Sequence, residues 1–181
     1  MPITEFAILP LSNPDNLSNP TVIALFQKLS AWQSECSSFS LLFFTNLDNA
    51  SEVHLISGWE SVEAHLEWIK GDRNQELLRV FAPYIDIPKV RMVHLDIDFD
   101  SIPKDVGTLV VERYGEGYEG RFGGASKTNK LFSVEGWAKV GMDMSENGHE
   151  VYRIANSIME QGSEVEDGSP KESWRLRAKE F

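Results

Sequence analysis

The chain has 181 residues, a formal net charge of −11 and one cysteine, Cys36. This length can bury a core without staples, a single cysteine excludes an internal disulfide, and the acidic balance opposes nucleic acid and anionic membrane surfaces, whose binders concentrate Lys and Arg. No apolar run reaches the roughly 18 residues of a spanning helix, and MPITEFAILPLSNPDN carries neither a basic leader nor an apolar signal core, so a soluble cytoplasmic protein is expected.

EFAILPL (5–11) reads as a first strand. NPTVIALFQKLSAWQSECSS (19–38) reads as a helix, with Asn19 as N-cap and Pro20 in the first helical position. Its stripe of Val22, Leu25, Phe26, Leu29, Trp32 and Cys36 makes Cys36 a small core residue rather than a nucleophile. FSLLFFT (39–45), the turn NLDN and EVHLISGW (52–59) form an antiparallel hairpin. Ser57 or Ser61 then caps a second helix, which is interrupted near GDRN (71–74) and resumes through QELLRVFA until Pro83 approaches. KVRMVHLDIDF (89–99) is the fourth strand.

The order β-α-β-β-α-β is the split βαβ, ferredoxin-like arrangement, in which both helices cover one sheet face. LLFF is apolar on both sides, so the bare face needs a second sheet against it. The second half offers GTLVVERY (107–114), KLFSVEGW (130–137) and SWRLRAKEF (173–181) as strands, with a helix within 138–161. Gly136–Trp137 echoes Gly58–Trp59 with about 20 fewer residues before it, the length of one helix with its connection. The Gly-rich GEGYEGRFGGASKTN (115–129) reads as a loop over a cavity mouth or a twisted hairpin, and EQGSEVEDGSPKE (160–172) as a solvated connection. The expected fold is α+β: two ferredoxin-like βαββαβ units, 1–100 and a truncated 101–181, forming an α/β barrel.

ISGWESVEAHLEW (56–68), a strand ending in Trp followed by a helix opening Glu-Ser-x-Glu-Ala, resembles the antibiotic-biosynthesis-monooxygenase-like branch of the dimeric α/β-barrel superfamily. The resemblance covers residues 3–100 well and 105–181 poorly. It implies two ferredoxin-like units paired sheet to sheet, with a small-molecule cavity between each sheet and its helices. Relatives of this kind include cofactor-free oxygenases of aromatic polyketides, cyclases, lactone isomerases, haem-degrading enzymes and stress proteins, so the fold fixes the site better than the reaction. Where many of them carry a histidine about nine residues after the strand-end Trp, this chain has Trp68, and that histidine's role does not transfer to His65.

His65 shares the inward stripe of the second helix with Val62, Leu66 and Ile69. Alternation on the fourth strand groups His94 with Val90 and Met92, and on the third groups His54 with Ile56, so histidines from two strands can converge on one cavity. A neutral imidazole takes a phenolic or α-keto proton near pH 7. His65, His94 and His54 are therefore the candidate acid–base residues, against the plainer reading of buried structural histidines. His149 is expected to be exposed. Trp59, Trp68, Tyr114, Tyr118 and Met92 are candidate substrate contacts, with ordinary packing as the alternative.

GGASKT lacks the glycine a P-loop needs before its lysine, DIDFD lacks the glycine and distal glutamate of a calcium loop, and the histidines form no HxH or HExxH pattern. No GxSxG elbow or dinucleotide fingerprint occurs, so neither a metal nor a cofactor is expected. The resemblance implies a cofactor-independent monooxygenase-like tailoring enzyme acting on a hydrophobic aromatic or polyketide-like metabolite. A cyclase or isomerase in the same cavity is the second reading, and a non-catalytic stress or ligand-binding protein the third. A homodimer is expected if the shortened half leaves apolar surface uncovered.

Overall fold

A computed structural model describes residues 1–115, 137–146, 148–156 and 170–181. Its first half runs β1 (Ile3–Pro10), α1 (Pro20–Ser37), β2 (Leu41–Asn46), β3 (Glu52–Trp59), α2 (Val62–Lys70), α3 (Asp72–Phe81) and β4 (Arg91–Leu95). The second half contributes β5 (Thr108–Tyr114), β6 (Ala138–Met142), β7 (Val151–Asn156) and β8 (Glu172–Ala178).

Local chemistry sets the helix ends where the sequence places them. The Asn19 side chain accepts from the Thr21 N–H at 2.9 Å with Pro20 at the first turn, and Ser61, rather than Ser57, accepts from Ala64. Gly71 is extended, at φ −68° and ψ 150°, and divides α2 from α3 at the expected interruption.

The strands form one antiparallel sheet in the order β4-β1-β3-β2-β8-β5-β7-β6. Within each half the order is fourth, first, third, second strand, the ferredoxin-like order repeated. One seam joins β2 to β8 through pairs from Phe44↔Ala178 to Asn46↔Leu176. At the other, Leu95 bridges Asp143, the Asp96 N–H reaches the Met142 carbonyl at 3.2 Å and the Met144 N–H reaches that of His94 at 2.9 Å. The sheet is thereby a nearly closed barrel built from two ferredoxin-like units of one chain, and all three described helices belong to the first unit.

Strand alternation divides the apolar residues into two cores. On the outer face of the first unit, Ile3, Ala7, Phe43, Val53, Leu55 and Trp59 pack under Val22, Phe26, Leu29, Trp68, Leu77 and Phe81 of the helices. Inside the barrel, Phe6, Ile8, Phe44, Ile56 and Leu95 meet Leu109, Val111, Ile154, Trp174 and Leu176 of the second unit. LLFF is apolar on both sides because Leu41 and Phe43 serve the first core and Phe44 the second.

Three expectations are corrected. Residues 138–142 and 151–156 are strands, so no helix occupies that part of 138–161. Trp137 precedes β6, whose place in its unit corresponds to β2, whereas Trp59 ends β3; the Gly-Trp echo is not a structural repeat. Cys36 is exposed, because it falls on the α1 flank with half-buried Leu25 and Trp32 while the buried stripe is Val22, Phe26, Leu29 and Gln33. The proposed strand residues 130–136, most of the Gly-rich segment, Tyr118 and most of the acidic connection lie outside the described residues.

The β4–β6 seam predicts a steric effect. A Cβ on Gly141 would stand 2.4 Å from Ile97 Cγ1 and 2.6 Å from Asp96 Oδ1, whereas one on Gly107 meets nothing within 4 Å. Gly141→Val is expected to lower unfolding free energy in urea by about 1–3 kcal/mol, the usual cost of overpacking. Gly107→Ala should stay within about 0.5 kcal/mol of the parent.

Candidate functional site

Glu5 sits in the middle of β1, on the face that also presents Ile3 and Ala7 to the helices. It is 4% exposed, and its register partners are Ser57 on β3 and His94 on β4. A buried carboxylate is tolerated only with donors around it. Oε2 accepts from Ser57 Oγ at 2.6 Å, Trp59 Nε1 at 2.8 Å and Gln33 Nε2 at 3.2 Å. Ser57 Oγ in turn accepts from Gln33 Nε2 at 2.9 Å and Trp59 Nε1 at 3.1 Å. Each element supplies its donor through its own period: β3 alternates Ser57 and Trp59 onto one face, and the α1 stripe delivers Gln33.

Above this cluster, α2 sets His65 flat on Trp59, with ring centroids 4.4 Å apart and planes 19° from parallel. Its Nδ1 lies 2.7 Å from His94 Nε2, a hydrogen bond between the two imidazoles, and its Nε2 lies 3.6 Å from Glu5 Oε1. The latter distance is electrostatic contact rather than a hydrogen bond. His94 is the more accessible residue, 9% exposed against 3% for His65. Half-exposed Met92 lies two residues from it on β4, and half-exposed Met144 donates its backbone N–H to the His94 carbonyl. The arrangement is a buried chain of polar groups, Glu5 to His65 to His94.

His65 and His94 thus converge, from a helix and a strand. His54 does not join them. It points into the barrel, fully buried, with Nε2 3.1 Å from Glu52 Oε2 and with rings of Phe6 and Trp174 centred 5.7 and 6.1 Å away. The expected convergence of the two strand histidines fails because His54 and His94 occupy opposite sheet faces. Trp59 and Trp68 lie buried with centroids 6.5 Å apart, Trp59 as donor to Glu5 and partner to His65. Tyr114 packs with Val151, Val140 and Met142, away from the pair. His149 is exposed.

Glu5, Ser57 and Gln33 escaped the sequence reading. Their signal was present: an acid on the apolar face of a strand, and an amide on the apolar stripe of a helix. An open groove of about 590 Å³ lies elsewhere, beyond the end of β1, lined by residues such as Leu11, Ser12, Ile85, Asp86 and Lys89. It contains none of the histidines, and the titratable cluster is the better guide to chemistry than that surface depression.

Burial pulls the His65 imidazolium below the ordinary histidine value; Glu5 opposes that shift and His94 adds to it. Burial likewise lowers His94, against the pull of Glu5, Asp143 and Glu63, and lowers His54, against its bond to Glu52. Inside the barrel the Tyr152 phenol is pushed up to about 12, by burial first. Burial therefore favours the neutral form of both His65 and His94, which is the form that accepts a proton. Among the described residues no three His, Cys, Asp or Glu groups are set to hold a metal ion. No described helix is long and apolar enough to cross a membrane.

No family model matches the chain, and no curated protein matches it in sequence. Solved structures do match in fold. A "putative monooxygenase" from Fusobacterium nucleatum subsp. nucleatum ATCC 25586 aligns with a TM-score of 0.67 at 10% identity, covering 98% of this chain and 92% of that one. A "putative monooxygenase" from Lactobacillus acidophilus NCFM aligns at 0.62 and 14% identity, covering 98% and 93%. An anthrone oxidase-like protein aligns at 0.61 and 12%, covering 98% and 91%. The chain has the α/β-barrel fold of these proteins over nearly its whole length.

The three lowered histidines give a pH signature. Each stays neutral in the folded protein at pH values where the unfolded chain, with its ordinary value of 6.5, already binds a proton. Stability is intact above that value and falls as pH drops below it. Urea midpoints measured from about pH 8 to about pH 5 are expected to decline below 6.5 and to decline less in His54→Gln, whereas equal slopes in both proteins would contradict the assignment.

Proposed function

We propose that this chain is a cofactor-independent, monooxygenase-like tailoring enzyme for a hydrophobic, aromatic or polyketide-like small molecule. The observation that carries this reading is the hydrogen-bonded His65–His94 pair, buried over Glu5. A neutral imidazole suits removal of a proton from a flat phenolic or doubly benzylic substrate.

In the reaction proposed, a ring nitrogen of the pair takes a proton from a substrate CH₂ or phenol. The resulting anion gives an electron to dioxygen and recombines with it, forming a C–O bond, and the hydroperoxide loses water to leave a carbonyl. The balance is R₂CH₂ plus O₂ giving R₂C=O plus H₂O, with oxygen as the only oxidant. Such a reaction requires that the anion and peroxide be kept from water. The resemblance in fold to proteins called monooxygenase and anthrone oxidase-like supports this choice among proton-transfer chemistries.

The same pair also suits a cyclase or isomerase, since moving a proton is the step both require. Oxygen separates the two. Anthrone-type substrates incubated with the protein are expected to give the quinone in air and nothing under argon, with one oxygen atom from ¹⁸O₂ in the product. Turnover that persists without oxygen would favour the isomerase reading. His94→Asn should lower kcat by about a hundredfold or more, the range expected for loss of a general base.

A further inference from the structure

We infer that Glu5, clamped by Gln33, Ser57 and Trp59, is a positioning residue that fixes the tautomers of both histidines and leaves Nδ1 of His94 as the one unprotonated nitrogen presented outward. The clamp makes the assignment possible. Oε2 receives three donors, so the carboxylate cannot rotate freely, and Oε1 is left facing His65 Nε2 at 3.6 Å. An N–H directed at that oxygen is attracted, whereas a lone pair there is repelled. His65 therefore carries its proton on Nε2.

The rest follows from hydrogen-bond bookkeeping. With its proton on Nε2, neutral His65 offers a lone pair at Nδ1, so the 2.7 Å bond must be donated by His94 Nε2–H. His94 Nδ1 is then unprotonated. Among the described residues no side chain or backbone group hydrogen-bonds to that atom, and it is not among the fully buried unpartnered atoms. When His94 takes a proton, Glu5, Asp143 and Glu63 face the new charge from β1, from beyond β6 and from α2.

The same clamp makes Glu5→Gln an inverter of the relay. Three donors around Oε2 require the glutamine carbonyl at that position, which forces its NH₂ into the place of Oε1, facing His65 Nε2. His65 must then present a lone pair there and carry its proton on Nδ1. It now donates to His94 Nε2, and the proton of His94 moves to Nδ1. One nearly isosteric change thus blocks the outward nitrogen without touching either histidine.

Two-bond ¹⁵N–¹H spectra of the histidine rings test this above the pH at which either ring titrates. The parent is expected to show Nε2–H at both His65 and His94, and Glu5→Gln to show Nδ1–H at both. A parent with the His65 proton on Nδ1 overturns the inference, as does a folded Glu5→Gln protein with unchanged tautomers. If Glu5→Gln fails to fold, the parent spectrum alone decides. The catalytic consequence rests on the function proposed above: Glu5→Gln should lower kcat by about a hundredfold while KM stays within about twofold. The expected parent spectrum without turnover of any phenolic or benzylic substrate would overturn that function alone, because the spectra read the relay directly.

Discussion

Placing a carboxylate under two helices is the constraint around which the first half of this protein is arranged. Desolvating Glu5 costs several kcal/mol unless its oxygens are met by donors, and those donors come from two elements, β3 and α1, that must dock together with β1. Ser57 and Trp59 need β3 in register with β1, and Gln33 needs α1 at one rotation and one height over the sheet. A helix packed on an apolar sheet by oily contact alone can slide or turn at small cost. Here a shift of one residue would strand a buried acid. Trp59, held by its indole N–H, then offers the flat surface on which His65 stacks, and α2 is fixed in turn.

The barrel gives the two faces of the first sheet different tasks. The inner face is closed by the second unit and filled by aliphatic and aromatic side chains. Its one described histidine, His54, spends its Nε2 on Glu52 and finds no partner for Nδ1. The outer face carries the polar cluster beneath α1 and α2. Because neighbouring residues of a strand point to opposite faces, β1 can hold Glu5 in the cluster and Phe6 in the barrel one residue apart. The architecture thus separates an apolar barrel core from a core that also holds a buried polar cluster.

Much of the fold was legible because it rests on local rules. Asn19-Pro20, Ser61 and Gly71 mark helix ends by capping and backbone preference, and the double-sided strand LLFF called for a second sheet. The second half was misread where a local pattern stood in for topology: Gly136–Trp137 resembles Gly58–Trp59 in composition, yet only strand pairing reveals that β7 takes the place of β3. The site was half legible. His65 announced itself by its inward stripe, and His94 by its strand. What periodicity cannot supply is which strand face meets the helices, and so His54 and His94 were joined when the sheet separates them. Glu5 and Gln33 were hidden by the same limit, since a polar residue on an apolar face is informative only when its partner's face is known.

The chemistry proposed belongs to the helix-covered face at the His65–His94 pair, not to the barrel interior or the groove beyond β1. The most direct test is the binding position of a tricyclic phenol, read by NMR in protein labelled at methionine methyls and histidine rings. The account predicts that His94, Met92 and Met144 shift together on titration, with His54 unmoved. Shifts confined to His54, or to amides of Leu11, Ser12, Ile85 and Asp86 along the groove, would contradict it.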